Sequence, residues 1–239
     1  MKNTLIILGV VAVLLVVAYL LLNREDQEPY DFPAANNEGE LTESADIPTT
    51  STGTLATGEY IADTKASTIS WRAGKPAISG YVHHGVFALQ NGSVAVTADS
   101  LSGDFVVDMN SLRVLSLGGG KAGQESTLEG HLKADRFFDV AAYPTATFTI
   151  TDITPKILPS PTQADYTATG ELTMKGQTKS ISFPAKVVVS GDQVWLTANV
   201  ELDRTEWGIT FGSAKIAERI TDQIIGDTVE LELSIKLNK

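Results

Sequence analysis

"SISFPAKVVVSGDQVWLTANVELD", residues 180–203, decides the fold of this chain. Its first half sets Ile181, Phe183, Ala185, Val187 and Val189 at alternate positions, with Ser182, Pro184 and Lys186 between them. Its second half repeats the pattern with Val194, Leu196, Ala198, Val200 and Leu202. A period of two is that of a strand with one buried and one wet face, as in antiparallel sheets. The "SGDQ" of Ser190–Gln193 joins the halves tightly enough for a hairpin.

Working outward, the same period recurs. "TVELELSIKLN" (228–238) alternates Val229, Leu231, Leu233, Ile235 and Leu237 with Glu230, Glu232 and Lys236. "TATFTIT" (145–151) alternates threonines with Ala146, Phe148 and Ile150, and "YTATGELTMK" (166–175) sets Tyr166, Ala168, Leu172 and Met174 on one face. "QNGS" at Gln90–Ser93 reads as a two-residue hairpin, because Asn-Gly tolerates the positive φ of a type I′ turn. Two helical segments interrupt the strands: residues 126–137, with Leu128 and Leu132 four apart, and residues 214–225, with Ile216, Ile220 and Ile224, Ser213 as N-cap and Gly226 as stop. From residue 59 onward the expectation is all-β, with roughly eight to ten antiparallel strands and one or two short helices. The long strands favour a closed barrel over a sandwich, and a barrel of about eight strands is filled by side chains or holds one small ligand.

Ahead of the barrel, Leu5–Leu22 carries no charged residue. About 18 apolar residues are the lower limit for a membrane-spanning helix. Residues 1–23 are therefore expected to be a membrane anchor, with a signal peptide as the competing reading. Lys2 before the run and Glu25, Asp26 and Glu28 after it place the N-terminus in the cytoplasm and the remainder outside. Residues 24–58 are polar and acidic, with eight acids against one arginine, and read as a disordered linker reaching about 30 Å. The net charge of −11 is spread so that no segment is basic, and no nucleic-acid partner is expected. The absence of cysteine excludes disulfides, thiolate metal sites and a cysteine nucleophile.

Four stretches invite a chemical reading. In "EGHLKADRFFDV", Glu129, His131, Asp135 and Asp139 suggest an acid/base or metal cluster, but they also suit the polar outside of a short helix. A hydrolytic metal site needs three ligands and an open position, and no third ligand is evident here. His83 and His84 are strand neighbours that face opposite sides, so they cannot chelate one metal together. His83, on the face of Tyr81, Phe87 and Leu89, is the better lumen candidate. "LGGGKAG" (117–123) lacks the Lys-Ser/Thr pair of a phosphate loop. "ELDRTEWGITFGS" (201–213) brings Arg204, Glu206 and Trp207 to a barrel rim, where they would either bind a polar head group or staple the corner.

What remains is the inward face: Trp71, Phe87, Leu89, Phe105, Val107, Phe148, Ile150, Leu172, Phe183, Val187, Leu196, Val200, Leu231 and Leu233. A packed core and a hollow tunnel share this pattern. The small inward residues Ala146, Ala168, Gly170, Ala185 and Ala198 point to a cavity.

"LEGHLKADRFFDVAAYPTATFTIT" (128–151), "GELTMKGQTKSISFPAKV" (170–187) and "LDRTEWGITFGS" (202–213), with "SGDFVVDMNSL" (102–112) upstream, resemble the YceI-like family of bacterial extracytoplasmic lipid-binding proteins. The resemblance runs from about Glu59 to Lys239. It implies a lipocalin-like barrel holding a polyisoprenoid, such as a polyprenol or isoprenoid quinone, in an apolar tunnel. It implies no catalytic residues. Phe137, Phe138, Tyr143 and Pro144 would mark the passage from helix to strand, with His131 in the family's "HL" position. The expectation is a non-enzymatic carrier in the bacterial cell envelope, anchored in the cytoplasmic membrane with its barrel in the periplasm. It would need no metal or cofactor besides the lipid, and its partners would be that lipid and the membrane. The alternative is an envelope protein–protein interaction module with a filled barrel, acting through Arg204, Glu206 and Trp207.

Overall fold

The computed structural model describes residue 48 and residues 55–97, 100–119, 123–155, 166–215 and 224–239. The expected anchor of residues 1–23 and most of the expected linker lie outside these residues, as do residues 216–223 of the second expected helix. Among the described residues, no helix is long and apolar enough to cross a membrane. Residues 46–239 form one compact unit.

Among the described residues, nine antiparallel strands make one sheet: β1 (Gly58–Ala62), β2 (Thr68–Gly74), β3 (Val82–Val96), β4 (Leu101–Leu117), β5 (Thr145–Pro155), β6 (Tyr166–Met174), β7 (Gln177–Ser190), β8 (Gln193–Asp203) and β9 (Thr228–Asn238). The sheet closes because β3 pairs with β4 as well as with β2. β1 and β2 share one lane between β3 and β9. β1 pairs with Ser93–Val96 and Leu237–Asn238, and β2 with Val82–Phe87 and Glu230–Ser234. Nine strands therefore fill eight lanes, the number whose bore is just wide enough to be filled by side chains or to hold a small ligand.

The alternation read in residues 180–203 is the observed register. Val187 pairs with Leu196 and Ala185 with Ala198, each pair facing the lumen, and Ser190–Gln193 is a tight turn with Gly191 at φ 60°. The outer face of the same hairpin carries one buried apolar pair, Val188 opposite Trp195, with the Lys236 ammonium 5.7 Å from the indole centroid. The Asn-Gly expectation is corrected. Asn91 and Gly92 lie inside β3, at a register shift between Leu89 and Asn91, and the connection to β4 comes later, between Thr97 and Ser100. A local turn preference gives way here because Gly92 faces inward beneath the Phe105 ring of the paired strand. The shift restores the inward phase, so that Val94 is buried.

Between β4 and β5 lies α1 (Glu125–Lys133), shorter than the residues 126–137 expected, because Ala134 turns to extended backbone and residues 135–138 form turns. Leu128 and Leu132 pack against the core, as their spacing implies. Glu129 Oε1 accepts a hydrogen bond from Val114 N at 2.9 Å, which ties α1 to β4. Asp135 Oδ1 accepts from Arg136 N, His131 is exposed, and no group of three potential metal ligands occurs among the described residues. Glu129 thus belongs to the scaffold that closes one end of the barrel.

Replacing Glu129 by alanine leaves the buried Val114 N–H without its acceptor. The expected outcome in urea unfolding is a loss of about 1–2 kcal/mol, with faster hydrogen exchange of the Val114 amide and unchanged protection in β7–β9.

Candidate functional site

The lumen is not filled. Its lining comprises 28 residues, and Thr197 is the only one among these described residues outside the apolar and aromatic set. The Tyr60 hydroxyl is committed to Ala56 O at 2.8 Å. The space open to the centre of a water-sized sphere is about 190 Å³, where a single water needs only about 10–15 Å³. Water entering such a space finds few hydrogen-bond partners, so the cavity suits an apolar guest.

Part of the lining lies at one end of the barrel. Leu55, Leu101, Ile153 and Tyr166 line the cavity and are half-buried. They lie just before β1, at the start of β4, near the end of β5 and at the start of β6, which are the same end of the barrel. At the other end Trp71, Phe87, Met109, Leu112 and Val114 are buried in the main core and lie outside the cavity lining. Leu128, Leu132 and Phe138 pack against them, with the Phe87 and Phe138 rings edge-to-face at 6.0 Å. The core beneath α1 floors the tunnel, and the opposite end, where the chain enters β1 and the lining reaches the strand ends, is called the mouth.

Of the fourteen inward residues read from the sequence, the structure brings twelve together around this cavity. Trp71 and Phe87 face inward but belong to the floor. His83 lies outside the lining; its ring stands edge-on to Tyr81 at 4.8 Å, and burial, followed by Lys75 and His84, lowers its pKa. Tyr60, Ile69, Val94, Leu101 and Ile153 also line the tunnel, and the sequence reading missed them. Val94 was lost with the misplaced turn, and Ile69 and Tyr60 sit on strands too short for a full period to stand out. Ala168, Ala185 and Ala198 leave space in the wall, whereas Ala146 is buried outside the lining and the space over Gly170 is taken by the Phe148 ring.

The Arg204 region is a staple at the floor end. The chain leaves β8 through a 3-10 turn, Arg204–Trp207, whose N-cap Asp203 accepts from Thr205 N at 2.9 Å and Thr205 Oγ1 at 2.6 Å. Arg204 is 5% exposed and donates to Gly226 O (2.9 Å), Ile209 O (2.6 Å), Ile225 O (3.2 Å) and Asp227 Oδ1 (3.2 Å). Trp207 is 1% exposed, and its Nε1 donates to Leu172 O at 3.1 Å. The expected exposed indole is thus a core residue, and neither Arg204 nor Trp207 is free to hold a head group. Glu206 is exposed, at the end opposite the mouth. A guanidinium saturates several carbonyls at once through its planar fork, which explains why this buried position carries arginine.

The ion pair to Lys215, then the Thr205 hydroxyl, hold the Asp203 pKa down at about 2. A depressed carboxylate stabilises the fold above its unfolded-state pKa, and that contribution disappears as pH falls through the folded value. Between pH 5 and 2 the melting temperature should therefore fall more steeply for the wild type than for Asp203→Asn. Arg204→Lys keeps the charge but not the fork. A lysine cannot reach all of these carbonyls at once, and each buried group left without its partner costs about 1–3 kcal/mol, so chemical denaturation should register a loss of at least that order.

The chain matches the YceI-like domain over residues 60–237. It is 37% identical over 65 residues to the protein YceI of Escherichia coli and, equally, to a UPF0312 protein of Pectobacterium carotovorum. These stretches cover 27% of this chain and 31% of each relative. Among solved structures, Burkholderia cenocepacia BcnA superposes with a TM-score of 0.54 at 19% identity, covering 73% of this chain and 98% of that one. A polyisoprenoid-binding domain from Saccharophagus degradans gives 0.51 at 17% identity, covering 75% and 97%. At that identity the likeness is one of fold, and the barrel accounts for nearly the whole of each of those two chains. With most of its length matched by the domain, the chain belongs to the YceI-like family.

Proposed function

We propose that the barrel is an extracytoplasmic carrier or buffer for an isoprenoid lipid, a polyprenol or an isoprenoid quinone, and that it performs no chemical reaction on it. The observation that carries this reading is the hollow lumen, whose wall offers a guest almost nothing but carbon. The Saccharophagus degradans relative, described as polyisoprenoid-binding, supports the same ligand class. A fatty acid fits less well, because none of the described lining residues is a cation to pair with its carboxylate. A neutral head group left at the mouth requires no such partner.

Transfer from water would stabilise a buried chain by about 0.8 kcal/mol per CH₂. The lipid starts in a bilayer rather than in water, so transfer into the tunnel is close to thermoneutral and exchange is reversible. Shape fit then decides what is held. The apolar run of residues 5–22 fits this role as an anchor in the cytoplasmic membrane, with the barrel on the periplasmic side. Its linker would lead to Leu55, at the mouth. A tether of this kind raises the local concentration of the barrel beside its lipid source.

The test uses residues 46–239 and vesicles carrying ubiquinone or a polyprenol, separated by flotation, with lipid quantified in the protein fraction. The wild type is expected to extract lipid. Ala168→Phe/Ala198→Phe, which fills the lumen, should extract at least tenfold less while melting no lower. A wild type that takes up neither lipid overturns the reading.

A further inference from the structure

In the lumen, large aromatic rings sit where they ought to obstruct it. Phe105 and Phe148 face inward, directly opposite each other on β4 and β5, and both line the tunnel. Two phenyl rings projecting side by side into an eight-lane bore would block much of it. They do not project, because each lies on a glycine of the strand beyond. Gly92 of β3 pairs with Phe105, and a Cβ on Gly92 would fall 2.5 Å from Phe105 Cδ1 and 3.0 Å from Cε1. A Cβ on Gly170 of β6 would fall 2.5 Å from Phe148 Cζ and 2.6 Å from Cε2. Phe105 thus leans toward β3 and Phe148 toward β6, so the paired rings splay apart. Phe148 crosses the bare backbone at Gly170 and meets Phe183 of β7 at a centroid distance of 5.5 Å. Gly85 receives the Trp71 indole in the same way at the floor, with Cβ separations of 2.7 Å.

We infer that Gly92 and Gly170 set the bore of the tunnel: each gives a lumen ring room to lie flat on the wall, and a side chain at either position swings that ring across the ligand path. Neither glycine has the positive φ that would itself demand glycine. The space above them is what excludes a side chain. At Gly170 a Cβ would also meet Thr149 O at 2.4 Å, so a substitution there strains backbone as well. At Gly92 the contacts under 3.4 Å are to the Phe105 ring alone, and the displaced ring's free volume lies in the lumen. These residues position the binding wall; they do not hold the ligand through polar contacts. The inference deepens the lipid-carrier reading and rests on it for the identity of the guest, but not for the geometry.

The test compares wild type, Gly92→Ala, and Gly92→Ala/Phe105→Leu in residues 46–239, using the apolar fluorophore N-phenyl-1-naphthylamine as probe and circular dichroism to verify the fold. Gly92→Ala is expected to bind the probe at least tenfold more weakly. The double variant should recover most of the wild-type affinity, since leucine no longer reaches across the bore. The inference is overturned by undiminished binding in Gly92→Ala, by a double variant that folds but stays weak, or by a wild type that excludes the probe. Repeating the series with ubiquinone vesicles separates the two ideas. A wild type that binds the probe but not ubiquinone or polyprenol refutes the lipid reading and leaves the bore assignment standing.

Discussion

Every inward side chain of this protein answers to one constraint. Eight lanes of antiparallel strand close around a single lumen, and closure leaves no edge through which the interior can be adjusted. Once β3 pairs with β4 on one side and β9 reaches β1 and β2 on the other, the girth of the barrel is set by lane number, and only side-chain choice decides whether its interior is packed or hollow. Two features decide for hollow. Alanines at 168, 185 and 198 recede from the wall, and the paired rings Phe105 and Phe148 lie sideways over glycines.

The two ends of the bore are built on different principles. The floor is a conventional apolar core: Trp71, Phe87, Met109 and Leu112 packed beneath α1, with the helix held to β4 by the single carboxylate of Glu129. Beside it the β8 corner is secured by polar groups that are buried and satisfied, the Arg204 fork on carbonyls and the Trp207 indole on Leu172. An unpaired charge there would be costly, so the corner resists opening. The mouth has no comparable structure among the described residues. Half-buried Leu55, Leu101, Ile153 and Tyr166 form an apolar rim there, which suits the exchange with a membrane that we propose.

Much of this was legible in the sequence. Alternation in β5 to β9 identified the lumen face almost residue by residue, because period two has only two phases and one of them was plainly polar. The failures have physical causes. Asn91-Gly92 carries a strong local turn signal, but its backbone is held in a long strand by Val106 and Phe105 of β4, which no local window contains. Arg204 and Trp207 looked like surface residues because the carbonyls that satisfy them come from residues 172, 209, 225 and 226. The inward glycines could be read as small, but not as seats for particular rings, since that depends on which strands become neighbours. Of the polar set around His131, the structure commits Glu129 to the helix attachment and leaves His131 exposed, a division that spacing alone does not reveal.

The central claim is that the lumen is hollow so that it can hold an isoprenoid chain. The most direct measurement is native mass spectrometry of residues 46–239 purified from a bacterial host without added lipid, followed by organic extraction and identification of the released mass. The account predicts a bound species whose mass matches an isoprenoid quinone or polyprenol. A protein that arrives empty, and remains empty after incubation with such lipids, would contradict it.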